Sequence, residues 1–403
     1  PLKPPTSDVP SGDLRMARAL ITALKFAGHF VRLASEFKSR EPTGNPAEQA
    51  TLRSKGKNIA RSLINKYEIE EWQPDLWFTY HVYYKAPDWI GPLVAQELNI
   101  PYVVAEASHA PKRAGGPWNL SHQSVERTIR EADLVVGINS LDAECIRPLL
   151  RSSARFLQLR PFIDLPADQR PEKAVLRRRY AKEVGLDVGR IWFLTAAMMR
   201  KGAKQVSYEM LSKSLKSLKS QDVFDWQLLI AGDGPIRSGV ELMFEGLPVR
   251  FVGEVNQSTL FDLMAAADMF LWPAIDEAYG MAILEGQSQG LPVIAGGGGG
   301  VSDIVRDGVT GILTKQGDVE AFSSAIRRLS VDSETLAEMS DQARLTVGRE
   351  HALSGMALQL EPPFVELVDG FEEGHWVGRV NEHRHLQLAR FRPDRIQPRI
   401  IDG

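Results

Sequence analysis

Residues 272–313 read "WPAIDEAYGMAILEGQSQGLPVIAGGGGGVSDIVRDGVTGIL". The segment holds a strand end, a loop with Glu277, a helix opening at Tyr-Gly-Met, a second strand and a run of glycines at 296–300. If the helix begins near Gly280, the backbone N–H groups of Gly280, Met281 and Ala282 lie free at the positive end of its dipole, where a diphosphate would sit. Glu285 follows Met281 by one turn on the same face, so its carboxylate can accept hydrogen bonds from vicinal hydroxyls. Helix geometry leaves a second reading of Glu285 open, a partly buried acid satisfied by backbone or a lysine. Glu277 reads first as an exposed loop acid, with a contact to another part of the same ligand as the alternative.

Outward from this segment the chain alternates strand and helix. The runs "LWFTYH", "IPYVVAEAS" and "ADLVVGIN" are separated by helical stretches, with helices at 11–27, 86–98 and 120–132. The alternation restarts with "RIWFLTAAM", "WQLLIAGDG", "VRFVGEV", "ADMFLWP", "LPVIAGG" and "TGILTKQ". This is an α/β pattern of two doubly wound, mainly parallel domains. Prolines and charges at "RPFIDLPADQRPEK", 160–173, mark the seam. The expected division is 1–163, 164–350 and an irregular tail at 351–403. The chain opens on "PLKPPTSDVPSGD", a Pro-rich loop with no strand in front of it. His375, His383 and His385 in the tail lack metal-ligand spacing, and no metal site is expected.

Ligands in open parallel sheets bind beyond the carboxyl ends of strands, so the loops there carry the functional signal. "AMMRKGAK" offers Arg200, Lys201 and Lys204 before a helix, a local excess of positive charge suited to an anion. "AGDGP" is a sharp turn and a weak motif alone. The five glycines at 296–300 allow close backbone approach or simply a flexible loop. In the N-terminal half, "TYHVYYKAPDW" gathers His81, Tyr83, Tyr84, Lys85 and Trp89, able to stack on a sugar or pair with an anionic acceptor, although ordinary packing explains each aromatic singly. His29 and His122 read as structural. Arg15, Arg18 and Lys25 share helical spacing that suits either a solvated face or a membrane surface.

Composition excludes several classes. The chain has 403 residues and a formal net charge of −3, so it carries no polyanion-binding signature and nucleic acid is not an expected partner. Cys145 is the single cysteine, which fits a reducing, cytoplasmic setting. No apolar run approaches the roughly 18 residues that span a bilayer.

The spaced glutamates Glu277 and Glu285, the Gly-Met helix start, "GLPVIA", the glycine loop and "DGVTGIL", with "GDGP" and the Arg-Lys loop upstream, resemble glycosyltransferase family 4 across roughly residues 10–350. The resemblance implies the GT-B architecture, two facing Rossmann-like domains with an interdomain cleft, and a retaining transfer from a nucleoside diphosphate sugar. It implies that Glu285 binds the ribose hydroxyls, that Glu277 lies against the donor sugar, and that the Gly280 and Met281 amides cradle the diphosphate. Arg200 and Lys204 resemble the family's basic pair on the leaving group, with Lys201 an alternative because the spacing is shorter than usual. His109, in "YVVAEASHA", resembles the histidine facing the donor sugar, and Gly12 the glycine of the first loop. The family's first strand, expected before Pro1, is not in this sequence.

The expected function is a metal-independent retaining glycosyltransferase that needs no cofactor beyond its donor substrate. No Asp-x-Asp pair occurs in the chain. The acceptor is a glycan, lipid or small molecule, with a peripheral contact at the inner face of the membrane admitted. A GT-B epimerase or phosphorylase, or a non-catalytic sugar-nucleotide-binding module, are the alternatives. A nicotinamide dehydrogenase is disfavoured, since no G-x-G-x-x-G run follows a strand with a ribose-binding acid downstream.

Overall fold

The computed structural model describes residues 1–2, 4–7, 11–165, 171–220 and 224–372. Two parallel sheets form. The first holds β1 (Trp77–Val82), β2 (Tyr102–Ala107), β3 (Leu134–Gly137) and β4 (Arg155–Gln158) in that spatial order. The second holds β5 (Ile191–Ala196), β6 (Trp226–Ala231), β7 (Val249–Gly253), β8 (Met269–Trp272), β9 (Val293–Gly297) and β10 (Gly311–Lys315), ordered β10-β9-β8-β5-β6-β7. Helices on both faces cover the central strands, so β2, β3, β6 and β8 are buried along their whole length and read as continuous apolar runs rather than alternating ones. In the second sheet the strand order reverses between β5 and β8, which opens a crevice at their carboxyl ends.

Each strand named from the sequence is present. Among the elements that escaped that reading are β4 and the long helix Pro46–Ile69, which Asn45 caps by accepting from the Ala47 and Glu48 amides. The helix expected from residue 86 starts later, at Gly91–Leu98, because residues 83–86 close a tight turn and Asp88 Oδ1 accepts from the Ile90 and Gly91 amides, at 2.8 and 2.9 Å.

The seam lies where residues 161–163 and 351–353 run side by side. Ile163 N donates to the His351 carbonyl and Leu353 N to the Ile163 carbonyl, both at 3.0 Å, and His351 Nδ1 lies 2.6 Å from the Pro161 carbonyl. The chain therefore passes between the two halves twice at one place. The expectation of an irregular tail from 351 is corrected here, since Leu353–Glu372 is a helix. Leu353, Met356, Ala357, Leu360, Phe364 and Leu367 recur at helical spacing and are buried, a period that Pro362 and Pro363 obscure in the sequence. This helix returns to the N-terminal half, against the first helix, Gly12–Phe26, and Phe364 meets the rings of His29 and Phe78 with centroids 5.7 and 6.1 Å apart. The histidines at 375, 383 and 385 lie outside the described residues.

No helix among the described residues is long and apolar enough to cross a membrane. Phe364→Ala should destabilise the protein by about 3 kcal/mol, the scale of a buried aromatic deletion, read as a lowered urea midpoint. An unchanged midpoint would show that the last helix does not contribute to the N-terminal core.

Candidate active site in the interdomain cleft

The loop between β8 and the helix Met281–Ser288 carries the first cluster. Three of its residues, Ala274, Asp276 and Gly280, have positive φ, and Gly280 at +72° is the N-cap. It offers no side-chain cap, and while Ile283 N donates to the Gly280 carbonyl at 2.8 Å, the Met281 and Ala282 amides are left to a ligand or water. The glycine run packs beneath this loop: a Cβ on Gly299 would fall 2.2 Å from the Glu277 carbonyl, and one on Gly300 2.1 Å from that of Ala278. That close approach is the reason for glycine at these two positions. Across the crevice, the loop after β5 holds Arg200 and Lys201 exposed, while Lys204 in the first turn of the helix Ala203–Lys219 turns inward. Lys204 Nζ pairs with Glu277 Oε2, the indole of Trp272 donates to the same oxygen at 3.1 Å, and the ammonium lies 5.1 Å from the Trp272 ring centroid. Both side chains of the pair are mostly buried, at 18% and 16% exposure. The turn "GDGP" braces this loop, with Met199 N donating to the Asp233 carbonyl at 2.8 Å.

Glu285 is 2% exposed, and its partner comes from the other half of the chain. Arg15 Nη1, on the helix Gly12–Phe26, lies 2.6 Å from both Glu285 oxygens. Burial pushes the Glu285 carboxyl above its ordinary value, and the Arg15 guanidinium only partly offsets it. Arg15 thus reaches across the cleft to Glu285 while its side chain stays 40% exposed. Arg18 turns to the Pro5 and Ser7 carbonyls instead. Gly12 begins that first helix, and a Cβ there would sit 3.9 Å from Met281 Cγ, so two helix N-termini face each other across the cleft. Ser140 bridges the halves a second time, its hydroxyl donating to Asp303 Oδ1 at 2.9 Å.

The N-terminal wall is acidic and strained. His81 and Glu106, near the carboxyl ends of β1 and β2, have φ of +64° and +56°, unusual for non-glycine residues and costing on the order of 1–3 kcal/mol each. His81 Nδ1 lies 3.3 Å from Asp13 Oδ1 and 3.6 Å from Glu106 Oε1. Burial opposes the His81 cation, but Glu106 and Asp13 outweigh it and raise the imidazole pKa. Burial also raises the Glu106 carboxyl, which His81 and the neighbouring Tyr279 and Tyr80 hydroxyls pull back only in part. Tyr279, two residues after Glu277, belongs to the opposite half. His109 does not join this group: it packs on the helix Asn119–Glu131, with its ring 5.0 Å from that of His122 and Nε2 3.7 Å from Glu126 Oε1.

The structure therefore brings together Glu277 with Lys204, and Glu285 and Met281 with the start of the first helix, while His109 sits apart. Arg15, Asp13, Glu106, Tyr279 and Trp272 were not singled out as site residues. One signal was available for Glu106, a carboxylate embedded in the apolar run of a parallel strand near its carboxyl end.

Residues 194–346 match the family model of glycosyl transferases group 1. Over that stretch the chain is similar to the group 1 glycosyl transferases. Among the chain's relatives, sulfoquinovosyl transferase SQD2 of Arabidopsis thaliana is 36% identical over 139 residues, covering 33% of this chain and 27% of that protein. D-inositol 3-phosphate glycosyltransferase of Streptomyces griseus is 27% identical over 309 residues, covering 67% of this chain and 63% of that protein. The chain thus spans less than two thirds of the length of these curated relatives. Anabaena Alr3699/HepE, solved in complex with UDP-glucose, shares the fold with a TM-score of 0.64 at 14% identity, covering 89% of this chain and 97% of that one.

The His81–Glu106 coupling sets a pH dependence. Both groups have folded-state values above their ordinary 6.5 and 4.5, so each contributes stability that is present below the ordinary value and lost as pH rises through the raised one. Urea melts at about pH 5 and about pH 8 should show the wild type losing more stability with rising pH than the His81→Gln/Glu106→Gln protein. Equal losses in both proteins would refute the coupling.

Proposed function

We propose that this transferase moves a glycosyl group from a nucleoside diphosphate sugar to a hydroxylated acceptor, with retention at the anomeric carbon and without a metal. The observation that carries this reading is the Lys204–Glu277–Trp272 cluster beside the uncapped N-terminus of the helix Met281–Ser288. A cation and a helix dipole converge there on the place where a diphosphate would lie, with a carboxylate against the sugar. Uridine is the favoured base, since the fold neighbour Alr3699/HepE was solved with UDP-glucose.

In the proposed reaction the bond between the anomeric carbon and the diphosphate oxygen breaks as the acceptor oxygen bonds to the same face. The acceptor proton passes to the departing phosphate. The transition state resembles an oxocarbenium ion, and negative charge grows on the leaving diphosphate. Lys204, Arg200 and the amides of Met281 and Ala282 stabilise that charge, a preorganised electrostatic role. Lys201 shares the exposed side of the same loop and is the alternative partner. Glu277 holds Lys204 in the resting protein and faces the sugar once the diphosphate takes the lysine. Glu285 reads the ribose hydroxyls, which requires Arg15 to give up one or both oxygens when donor binds.

The test is turnover of labelled UDP-sugars with a panel of hydroxylated acceptors. Lys204→Ala and Glu277→Ala should each lose about a hundredfold or more in kcat, the scale of removing one preorganised transition-state contact. Glu285→Gln should weaken UDP binding by about tenfold, as expected for hydrogen bonds to a charged group. Turnover of wild-type speed in Lys204→Ala would overturn the assignment. Epimerised donor, or release only with phosphate, would reassign the chemistry on the same site.

A further inference from the structure

From His81 a line of rings leads away from the cleft. His81 meets Tyr83 with centroids 5.2 Å apart, Tyr83 meets Tyr84 at 5.6 Å, and Tyr84 meets Trp118 at 5.4 Å, each edge to face. At its far end two cations share one pair of rings. Lys85 Nζ lies 5.6 Å from the Tyr84 centroid and 5.2 Å from that of Trp118, and Arg113 Cζ lies 4.9 and 5.3 Å from the same two.

Neither cation has an ion pair with a described residue. Arg113 Nε is shielded from solvent and donates no hydrogen bond. Glu41, which holds the Trp118 indole through its backbone carbonyl at 3.1 Å, commits its carboxylate to the Thr43, Gly44 and Asn45 amides. Cation–π attraction explains one cation on these rings. Two cations on one pair of rings also repel each other, and an anion bound to both would offset that repulsion. The platform is also rigid. Ala86 N donates to the Tyr83 carbonyl at 2.8 Å and Glu41 N to the Lys85 carbonyl at 2.8 Å, so the turn carrying Lys85 is fixed before any ligand arrives.

Charge along this wall is segregated. The carboxylates Asp13 and Glu106 flank His81 at the cleft, and the bases sit at the outer end. We propose that Lys85 and Arg113, mounted on Tyr84 and Trp118, bind a phosphate group of the acceptor, whose hydroxyl reaches the donor past His81. The proposal rests on the transferase reading and narrows it to phosphate-bearing acceptors. A soluble phosphomonoester and a lipid headgroup share this chemistry.

The test titrates full-length protein saturated with UDP against glycerol 3-phosphate, against glycerol, and against phosphatidylcholine vesicles with and without phosphatidic acid. Glycerol 3-phosphate or the phosphatidic acid vesicles should bind and glycerol should not, the arm that binds identifying the source. The Lys85→Gln/Arg113→Gln protein should weaken that binding by at least about tenfold, the scale of lost charge-assisted hydrogen bonds. The charge-conserving Lys85→Arg/Arg113→Lys protein should retain most of it, which separates loss of charge from loss of fold. Equal binding by wild type and the Gln variant, or no binding of either phosphate probe, overturns the proposal. If UDP itself does not bind the wild type, the donor reading fails, and the same titrations without UDP still report on Lys85 and Arg113.

Discussion

A carboxylate that is almost wholly removed from water must find a partner or stay neutral, and Glu285 finds its partner in the other half of the chain. Arg15 reaches it from the first turn of a helix whose N-terminus opposes that of Met281–Ser288. The two halves are held together by this pair, by Ser140 on Asp303, and by the paired crossings at 161–163 and 351–353. The crossings are short and hydrogen-bonded to each other, so the covalent links between the halves lie at one place. The ion pair lies in the cleft itself, where the N-termini of the helices Gly12–Phe26 and Met281–Ser288 approach each other.

The two walls of the cleft differ in charge for a physical reason. One wall carries a helix N-terminus and a lysine, which favour an anion, and Glu277 there is held by that lysine and by Trp272. The opposite wall carries Asp13, Glu106 and an imidazole shifted toward its charged form. His81 and Glu106 stand on adjacent strands in left-handed backbone conformations that a simple strand end would not need. Such strain persists only where the surrounding sheet over-determines it, and here it aims both side chains at the same point beside Asp13.

Periodicity made the strands legible, since buried parallel strands are apolar runs bounded by turns, and the Glu277–Glu285 spacing around Gly280 was readable because one turn of helix is a fixed distance. Gly299 and Gly300 were visible as glycines but not as the floor beneath the Glu277 loop, which depends on contact across the β8–β9 gap. The helix Leu353–Glu372 was lost behind Pro362 and Pro363, although its buried positions keep a helical period. His109 was named from its resemblance to the family's histidine facing the donor sugar, and its ring lies against His122 and near Glu126. His81 also ends a strand and lies beside Asp13 and Glu106, and local sequence carries no sign of which partners each histidine would take.

By itself the sequence determined what depends on neighbours along the chain: the α/β alternation, the helix start at Gly280, the position of Glu285 one turn beyond Met281, and the concentration of bases at 200–204. Tertiary structure alone decided the partners that lie far apart in number, Arg15 with Glu285, Lys204 with Glu277, His81 with Asp13 and Glu106, and Lys85 with Arg113 on shared rings. The physical reason is that a helix or strand sets which residues share a face through its fixed period, whereas pairing across a cleft is set by how whole sheets and helices pack, which no short window of sequence encodes.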